Sequence, residues 1–165
     1  MSATESTGLQ ALQDRLDITD VLYRYFSGID SFNRDAVRST FADDIHVEYG
    51  NLDPVDGGDA LTDWIFGATG AITWQHHLAS IYSVEVDGDT AKALCYMTSH
   101  QVFDGDPNSV KVLVGRYHDE LKRTPDGWKI SARKAEFLWS ETRSQDEEFI
   151  GMLGGRGPEV WPRPS

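Results

Sequence analysis

The chain has 165 residues and a formal net charge of -12, from 27 acidic and 15 basic side chains. This length is sufficient for one domain with a hydrophobic core, and we expect residues 1–165 to form a single domain. The negative charge repels phosphate backbones and anionic lipids, so no binding to nucleic acid or membranes is expected. No stretch is apolar for long enough to cross a bilayer, and the first residues do not resemble a signal peptide. The single cysteine, Cys95, excludes an intrachain disulfide and favours a cytoplasmic protein.

The first part of the chain is predicted to be helical. Residues 1–8 are small and polar, and we expect them to be flexible. From Leu9 onward, apolar residues recur with the spacing of an amphipathic helix, at Leu12, Leu16, Ile18, Val21, Leu22, Tyr25, Phe26 and Ile29. Residues 33–35 suit a break and a cap, and a short helix over residues 36–41 follows, with Val37 and Phe41 facing inward. A third helix is predicted over residues 60–66, capped by Asp59.

Strands dominate the rest of the chain. Residues 42–44 are predicted to form a turn into a strand at residues 45–49, and residues 50–58 form a loop. Four long strands are predicted at residues 73–86, 90–103, 110–124 and 128–140, separated by turns that contain glycine. Helices followed by a long antiparallel meander indicate an α+β class, in which a curved sheet wraps the helices and leaves a conical cavity. In the tail, residues 141–165, a short helix is predicted at residues 147–152, and Trp161 is a candidate cover for the cavity or an interface.

Asp30 is the most unusual residue of the first helix, because it falls beside Phe26 at the edge of the apolar stripe. A carboxylate at the edge of a core is costly unless a partner or a function compensates. Two interpretations remain open at this point. Asp30 caps the turn that follows the helix, or it serves a chemical function.

Three histidines of the predicted sheet, His76, His77 and His100, fall at places compatible with a pocket. Strand side chains alternate, so only one of His76 and His77 can face a cavity. A histidine held in one tautomer by Asp30 would be a general base near neutral pH, although a structural role is the alternative for each histidine. Hydroxyl donors for a substrate carbonyl are available at Tyr25, Tyr49 and Tyr96, whereas His46 and His118 are expected on solvated faces.

Several short motifs, in order, carry a resemblance to a known family. They are the run from Tyr25 to Asp30, the FADD at residues 41–44, the VEYG at residues 47–50, His77 ahead of the DGDTA at residues 87–91, the GRY at residues 115–117 and the DGWKI at residues 126–130. Over about residues 9–140 the chain resembles the SnoaL-like branch of the nuclear transport factor 2-like superfamily. Within it, the motifs look most like those of scytalone dehydratase, bile acid 7α-dehydratase and hexachlorocyclohexane dehydrochlorinase.

The resemblance implies a cone-shaped α+β barrel and a catalytic pair of Asp30 and His77. It also implies catalytic roles for Tyr25, Tyr49 and His100, and assembly into a homotrimer or homodimer. The dehydrochlorinase has a lysine where this chain has Tyr25, so no specific substrate carries across.

We therefore expect a cofactor-independent, metal-independent lyase that eliminates water or a similar group β to a carbonyl. Its substrate would be a hydrophobic polycyclic or aromatic molecule, and the expected substrate-binding residues are Trp64, Trp74, Tyr96, Phe137 and Trp139. Isomerisation or cyclisation through the same enolate is one alternative. A non-catalytic ligand-binding or assembly module is the other.

Overall fold

The computed structural model describes residues 3–144 and 146–152 of the chain. In chain order, the elements are α1 (Ala3–Asp30), α2 (Arg34–Arg38), β1 (Phe41–Tyr49), β2 (Val55–Asp56), α3 (Gly58–Ala68), β3 (Ile72–Asp87), β4 (Thr90–Phe103), β5 (Asp106–Thr124), β6 (Gly127–Ser144) and α4 (Glu147–Met152). The expected tail residue Trp161 lies outside the described residues.

The strands form one mixed sheet with the order β2-β1-β6-β5-β4-β3. Strands β3 to β6 make the predicted antiparallel meander, β1 joins β6 in parallel, and β2 pairs with β1 in an antiparallel sense. The N-terminal helices pack against this sheet, with α1 in contact with β3 and β6. The predicted α+β class, with helices on a curved and mainly antiparallel sheet, is confirmed.

The inward face of α1 differs from the prediction in its first half. Leu12 and Leu16 are more than half exposed, while Asp14 and Ile18 are buried against the sheet. Asp14 tolerates burial because the guanidinium of Arg123 lies 2.8 Å from its Oδ2 atom and the Trp128 indole N–H donates to its Oδ1 atom. Helix α1 also begins at Ala3, earlier than the expected start at Leu9.

The connection from α2 to β1 was predicted wrongly. Asn33 caps α2 as expected, and its side chain accepts the Ala36 N–H at 3.0 Å. The helix ends at Arg38, however, and Phe41 begins a strand instead of ending a helix. The cause is non-local, because the backbone of Thr40 accepts the Ile130 N–H at 2.9 Å and the chain joins β6 there.

Two further boundaries near β2 differ from expectation. The predicted loop at residues 50–58 contains the short strand β2, whose Asp56 pairs with His46 of β1. Gly57, with φ of 90°, is the N-cap of α3, so Asp59 lies within the first turn and is not the cap. Strands β5 and β6 also extend beyond their predicted ends.

The core lies between the helices and the inner face of the sheet. It includes the predicted inward residues Val37, Phe41 and Ile45, and Cys95 is fully buried on β4. Among the described residues, no helix is long and apolar enough to span a membrane.

Candidate active site

Asp30 and His77 are joined by two hydrogen bonds. The Oδ1 atom of Asp30 lies 2.6 Å from the ring Nδ1 of His77, and its Oδ2 atom accepts the backbone N–H of His77 at 2.9 Å. Asp30 is the last residue of α1, and His77 lies on β3, which is an edge strand of the sheet. The carboxylate therefore ties the end of the helix to the edge strand and orients the imidazole ring.

The two side chains differ in exposure. The His77 side chain is 8% exposed and that of Asp30 is 25% exposed. Because a carboxylate only accepts hydrogen bonds, this contact assigns the proton of a neutral His77 ring to Nδ1, and the lone pair of that ring is then on Nε2. Nε2 has no hydrogen-bond partner among the described residues. The arrangement has the form of a base oriented by a carboxylate.

A cavity of about 150 Å³ lies next to His77, between the helices and the inner face of the sheet. Its lining residues are Tyr25, Ile29, Tyr49, Trp64, Ile65, Ala68, Thr69, Gln75, His77, Met97, Ser99, Gln101, Leu113, Tyr117 and Phe137. Most of this wall is apolar or aromatic, which is typical of a site for a small organic ligand.

The polar part of the wall is concentrated on β3 and β4. Gln75 pairs with Gln101 across the two strands, and His77 pairs with Ser99, so these four side chains form a square that we call the polar patch. The Gln75 side chain donates from Nε2 to the carbonyl of Ile29 at 2.6 Å. Neither Oε1 of Gln75 nor Oγ of Ser99 has a hydrogen-bond partner among the described residues, although both atoms are buried.

Three buried tyrosines, Tyr25, Tyr49 and Tyr117, form another part of the wall. Burial raises the pKa of Tyr49 and of Tyr117 well above the usual value, and the neighbouring Tyr25 adds to both shifts. These two hydroxyls therefore stay protonated at neutral pH, and each also has a hydrogen bond with Tyr25.

A buried ion pair that was not predicted from the sequence lies against two of these tyrosines. Arg133 donates from Nε and Nη2 to the two carboxylate oxygens of Asp119, at 2.7 and 2.8 Å. Its guanidinium lies 4.2 Å from the ring centroids of both Tyr25 and Tyr117. Strand alternation carries a signal for this pair, because Arg133 shares a strand face with buried Ala135, and Asp119 with Tyr117.

Aromatic residues lead from the surface to the cavity. The Tyr49 ring is stacked on Trp64, with centroids 4.6 Å apart, and lies 6.5 Å from the Phe137 ring. Tyr49 is buried, whereas Trp64 and Phe137 are partly exposed. Trp64 and Phe137 thus lie at the mouth of the cavity, and their contact with a ligand stays a prediction.

His100 does not join this cavity. It pairs with His76 in the β3–β4 ladder, and the two rings stack with centroids 6.1 Å apart on the face of the sheet opposite to His77. A β-bulge between Ile81 and Ser83 is the reason, because the register set by the turn would otherwise pair His77 with His100. Burial lowers the pKa of His100, and the nearby His76 adds to the shift.

Three of the expected substrate-binding residues also lie away from the cavity. Trp74 packs near His76, with centroids 6.3 Å apart, and the Tyr96 ring contacts Tyr82 at 4.6 Å on the outer face. Trp139 is half exposed and does not line the cavity. Trp74 and Tyr96 alternate along their strands with Gln75 and Met97, which line the cavity. Trp139 is two residues from Phe137, but the register of β6 against β5 shifts by one residue between them and turns Trp139 to the other face.

A larger outer groove, of about 880 Å³, runs between the end of α1 and β3 and is lined by Asp30, His77 and Trp74 among others. Asp30 and His77 thus separate this groove from the cavity. The buried polar atoms of the polar patch favour the cavity as the place where a ligand binds. Within residues 3–144 and 146–152, no group of three or more His, Cys, Asp or Glu side chains is placed to hold a metal ion.

The fold and the cavity define a nuclear transport factor 2-like α+β barrel, in which a histidine of the cavity wall is hydrogen-bonded to an aspartate that lines the outer groove. A family model described as a SnoaL-like domain matches residues 10–134, so the chain belongs to the SnoaL-like domain family. An uncharacterized protein of Mycobacterium tuberculosis, Rv2910c, is 34% identical over 123 residues, which are 74% of this chain and 84% of that protein.

Solved structures share the fold at lower identity. The hexachlorocyclohexane dehydrochlorinase LinA-type3 of Novosphingobium barchaimii matches with a TM-score of 0.75 at 17% identity, covering 82% of this chain and 94% of that chain. A scytalone dehydratase-like protein of Novosphingobium aromaticivorans matches with a TM-score of 0.70 at 18% identity, covering 86% and 91%. At 17% and 18% identity, the similarity to these structures shows a shared fold only.

Proposed function

We propose that the protein is a cofactor-independent lyase that eliminates water, or a similar group, β to a carbonyl of a small hydrophobic molecule. The observation that carries this proposal is the contact of 2.6 Å between Asp30 Oδ1 and His77 Nδ1, beside a cavity and with Nε2 unpartnered. Fold relatives named as a dehydrochlorinase and as scytalone dehydratase-like give this reaction class further support.

In the proposed reaction, Nε2 of His77 takes the proton on the carbon α to the carbonyl. The electron pair of that C–H bond moves into an enolate and then forms the new C=C bond, while the Cβ–O bond breaks and its pair leaves with oxygen. The protonated imidazole returns its proton to this oxygen, and water departs. Asp30 stabilises the imidazolium in between.

The enolate oxygen needs hydrogen-bond donors, and the tyrosine wall supplies them. Tyr49 is buried in the wall of the cavity, and burial keeps its pKa well above the usual value, so its hydroxyl donates without losing its proton. Tyr25 lies beside it in the same wall. His100 takes no part in this mechanism, because its ring lies on the other face of the sheet.

The volume of the cavity narrows the class of substrate. A cavity of about 150 Å³ accommodates one benzene-sized ring. A single-ring substrate is therefore favoured over the polycyclic substrate that was one expectation from the sequence.

The test uses one-ring compounds and two readouts. With 3-hydroxycyclohexanone, the wild-type protein is expected to produce the conjugated enone, measured by its ultraviolet absorbance. With cyclohexanone in D₂O, it is expected to exchange the α-protons, measured by NMR. His77→Gln is expected to lose both activities, whereas the surface variant Ser80→Ala keeps them. If His77→Gln retained them, or if the wild-type protein showed neither, the proposal would be wrong.

Two alternatives differ in their outcome. Proton exchange without elimination favours an isomerase or cyclase that uses the same enolate. A purely structural role is favoured by the second bond of Asp30, to the backbone N–H of His77, because it anchors α1 to β3. In that case Asp30→Asn lowers the stability of the protein, and no exchange activity is found in any variant.

A further inference from the structure

The polar patch contains two buried polar atoms that no group in the described part of the chain satisfies. Gln75 is 4% exposed and Ser99 is fully buried, yet Oε1 of Gln75 and Oγ of Ser99 have no hydrogen-bond partner among the described residues. Burying an unpaired amide or hydroxyl oxygen lowers stability, and most such groups in folded proteins are paired. Two of them on the wall of one cavity indicate a ligand that supplies the missing bonds.

The hydrogen bond of its Nε2 group fixes the orientation of the Gln75 side-chain amide. Nε2 donates to the Ile29 carbonyl at 2.6 Å, and a flipped amide would place two oxygen acceptors against each other. Oε1 is therefore a fixed acceptor. The Ser99 hydroxyl can donate as well as accept.

The positions of the two atoms relative to His77 define what they would bind. Ser99 faces His77 directly across the ladder, and Gln75 lies two residues before His77 on the same face of β3. Gln75 and Ser99 are thus diagonal neighbours, with Cβ atoms about 7–8 Å apart or slightly less, and the glutamine side chain spans part of that distance. A hydroxyl group between them would donate to Gln75 and accept from Ser99.

We infer that Gln75 and Ser99 form a binding site for a substrate hydroxyl group, and that the substrate is a single-ring molecule carrying that group beside its acidic C–H bond. This inference rests on the proposed function, because the anchored hydroxyl fixes the part of the substrate that faces His77. It assigns to the polar patch the task of orienting the ring, while the apolar wall excludes water.

The test measures binding rather than turnover. Phenol and toluene are ring probes of similar size that differ in a hydroxyl, and their affinities are measured by protein-observed NMR titration. We expect the wild-type protein to prefer phenol about tenfold, which corresponds to one or two hydrogen bonds to neutral partners.

Two variants locate the preference. Ser99→Ala and Gln75→Met are each expected to reduce the preference for phenol over toluene about threefold to tenfold. Ser80→Ala, at an exposed serine of β3, is the matched control and leaves the preference unchanged. Ser99→Ala should also melt at the same temperature as the wild-type protein or higher, because it removes an unpaired buried hydroxyl. Gln75→Met additionally loses the bond to Ile29, so Ser99→Ala is the decisive variant.

Equal affinities for phenol and toluene in the wild-type protein would overturn the inference. So would a preference that Ser99→Ala leaves intact, or a marked fall in the melting temperature of that variant, which would indicate a structural hydroxyl. The binding assay needs no turnover, so it separates the two proposals. If the protein prefers phenol but exchanges no α-protons, the proposed lyase activity is wrong and the hydroxyl site is supported. If it exchanges α-protons without preferring phenol, the lyase activity is supported and the hydroxyl site is wrong.

Discussion

The variant Asp30→Asn is expected to reverse the tautomer of His77. In the wild-type protein, the two carboxylate oxygens of Asp30 accept from the ring Nδ1–H and from the backbone N–H of His77. An asparagine side chain has one acceptor and one donor group. The backbone N–H can only donate, so it takes the amide oxygen, and the amide N–H then faces Nδ1. The ring proton must move to Nε2, and the base is lost.

The size of the tautomer preference can be estimated from the hydrogen bond between Asp30 and His77. A hydrogen bond of 2.6 Å to a charged acceptor contributes about 1.5–3 kcal/mol, so the Nδ1–H tautomer is favoured roughly 10-fold to 150-fold. More than about nine-tenths of wild-type molecules should therefore carry the proton on Nδ1. In the variant the preference is reversed, and activity should fall by a factor on the order of 100 to 10,000, the usual contribution of a general base.

The assay requires no substrate. ¹⁵N NMR of the imidazole nitrogens, at a pH at which the ring is neutral, distinguishes the protonated nitrogen from the one with a lone pair, and His77→Gln assigns the signals. His46 provides a matched control, because its Nδ1 lies 2.7 Å from the Oδ1 atom of Asp56 on an exposed surface. Asp56→Asn should change the His46 signals and leave those of His77 alone. If His77 keeps its proton on Nδ1 in Asp30→Asn, the carboxylate does not set the tautomer and the proposed mechanism fails.

Three other predictions concern buried groups. Asp119→Asn leaves the Arg133 guanidinium buried without a charged partner, so it should lower the free energy of unfolding by about 3–5 kcal/mol, measured by urea denaturation. Burial raises the pKa of the Cys95 thiol to about 11, so only about one thiol in a thousand is ionised at pH 8, and the folded protein should resist alkylation by iodoacetamide. The hydrogen bond from Arg123 holds the pKa of Asp14 below its usual value of 3.8, so this carboxylate stabilises the folded state above that pH. The stabilisation should be lost as the pH falls through the lower pKa of the folded state, and Asp14→Asn should make the unfolding free energy less dependent on pH below about 3.8.

Each of these predictions has a control and a contrary result. The double variant Asp119→Leu with Arg133→Met should recover most of the lost stability. If Asp119→Asn were as stable as the wild-type protein, the buried charge of Arg133 would not need its partner. Cys95 should alkylate rapidly in denaturant, so rapid alkylation of the folded chain would mean that the thiol is accessible. Asp20 is exposed, so Asp20→Asn should leave the pH dependence of the unfolding free energy below about 3.8 unchanged. If Asp14→Asn kept the same pH dependence as the wild-type protein, Asp14 would contribute little to stability.

The long strands could be predicted from the sequence because their signals are local. Alternation fixes the faces of a strand, and turns such as the one at Gly88, with φ of 60°, mark its ends. The start of β1 at Phe41 depends on β6, which lies far along the chain, so no local pattern predicts it. The burial of Asp14 also depends on distant partners, since Arg123 and Trp128 belong to other elements.

Only part of the candidate site could be predicted, because the face on which a strand residue lies also depends on distant pairing. The resemblance supplied Asp30 and His77, and the structure brings these two side chains into contact. His100 was expected in the cavity, but its face depends on the register of β3 against β4. That register changes by one residue at a bulge, which sequence patterns do not reveal.

The bulge between Ile81 and Ser83 therefore decides the chemistry of the inner wall. With the register of the turn continued, His77 would pair with His100 and the cavity would contain two imidazoles. The shift by one residue places Ser99 there instead, a neutral hydroxyl beside a single base. A site with one base and neutral polar neighbours suits the removal of one proton from an oriented neutral substrate, whereas a second imidazole would compete for the same proton. The position of the bulge thus links the geometry of the sheet to the proposed use of Gln75, His77 and Ser99.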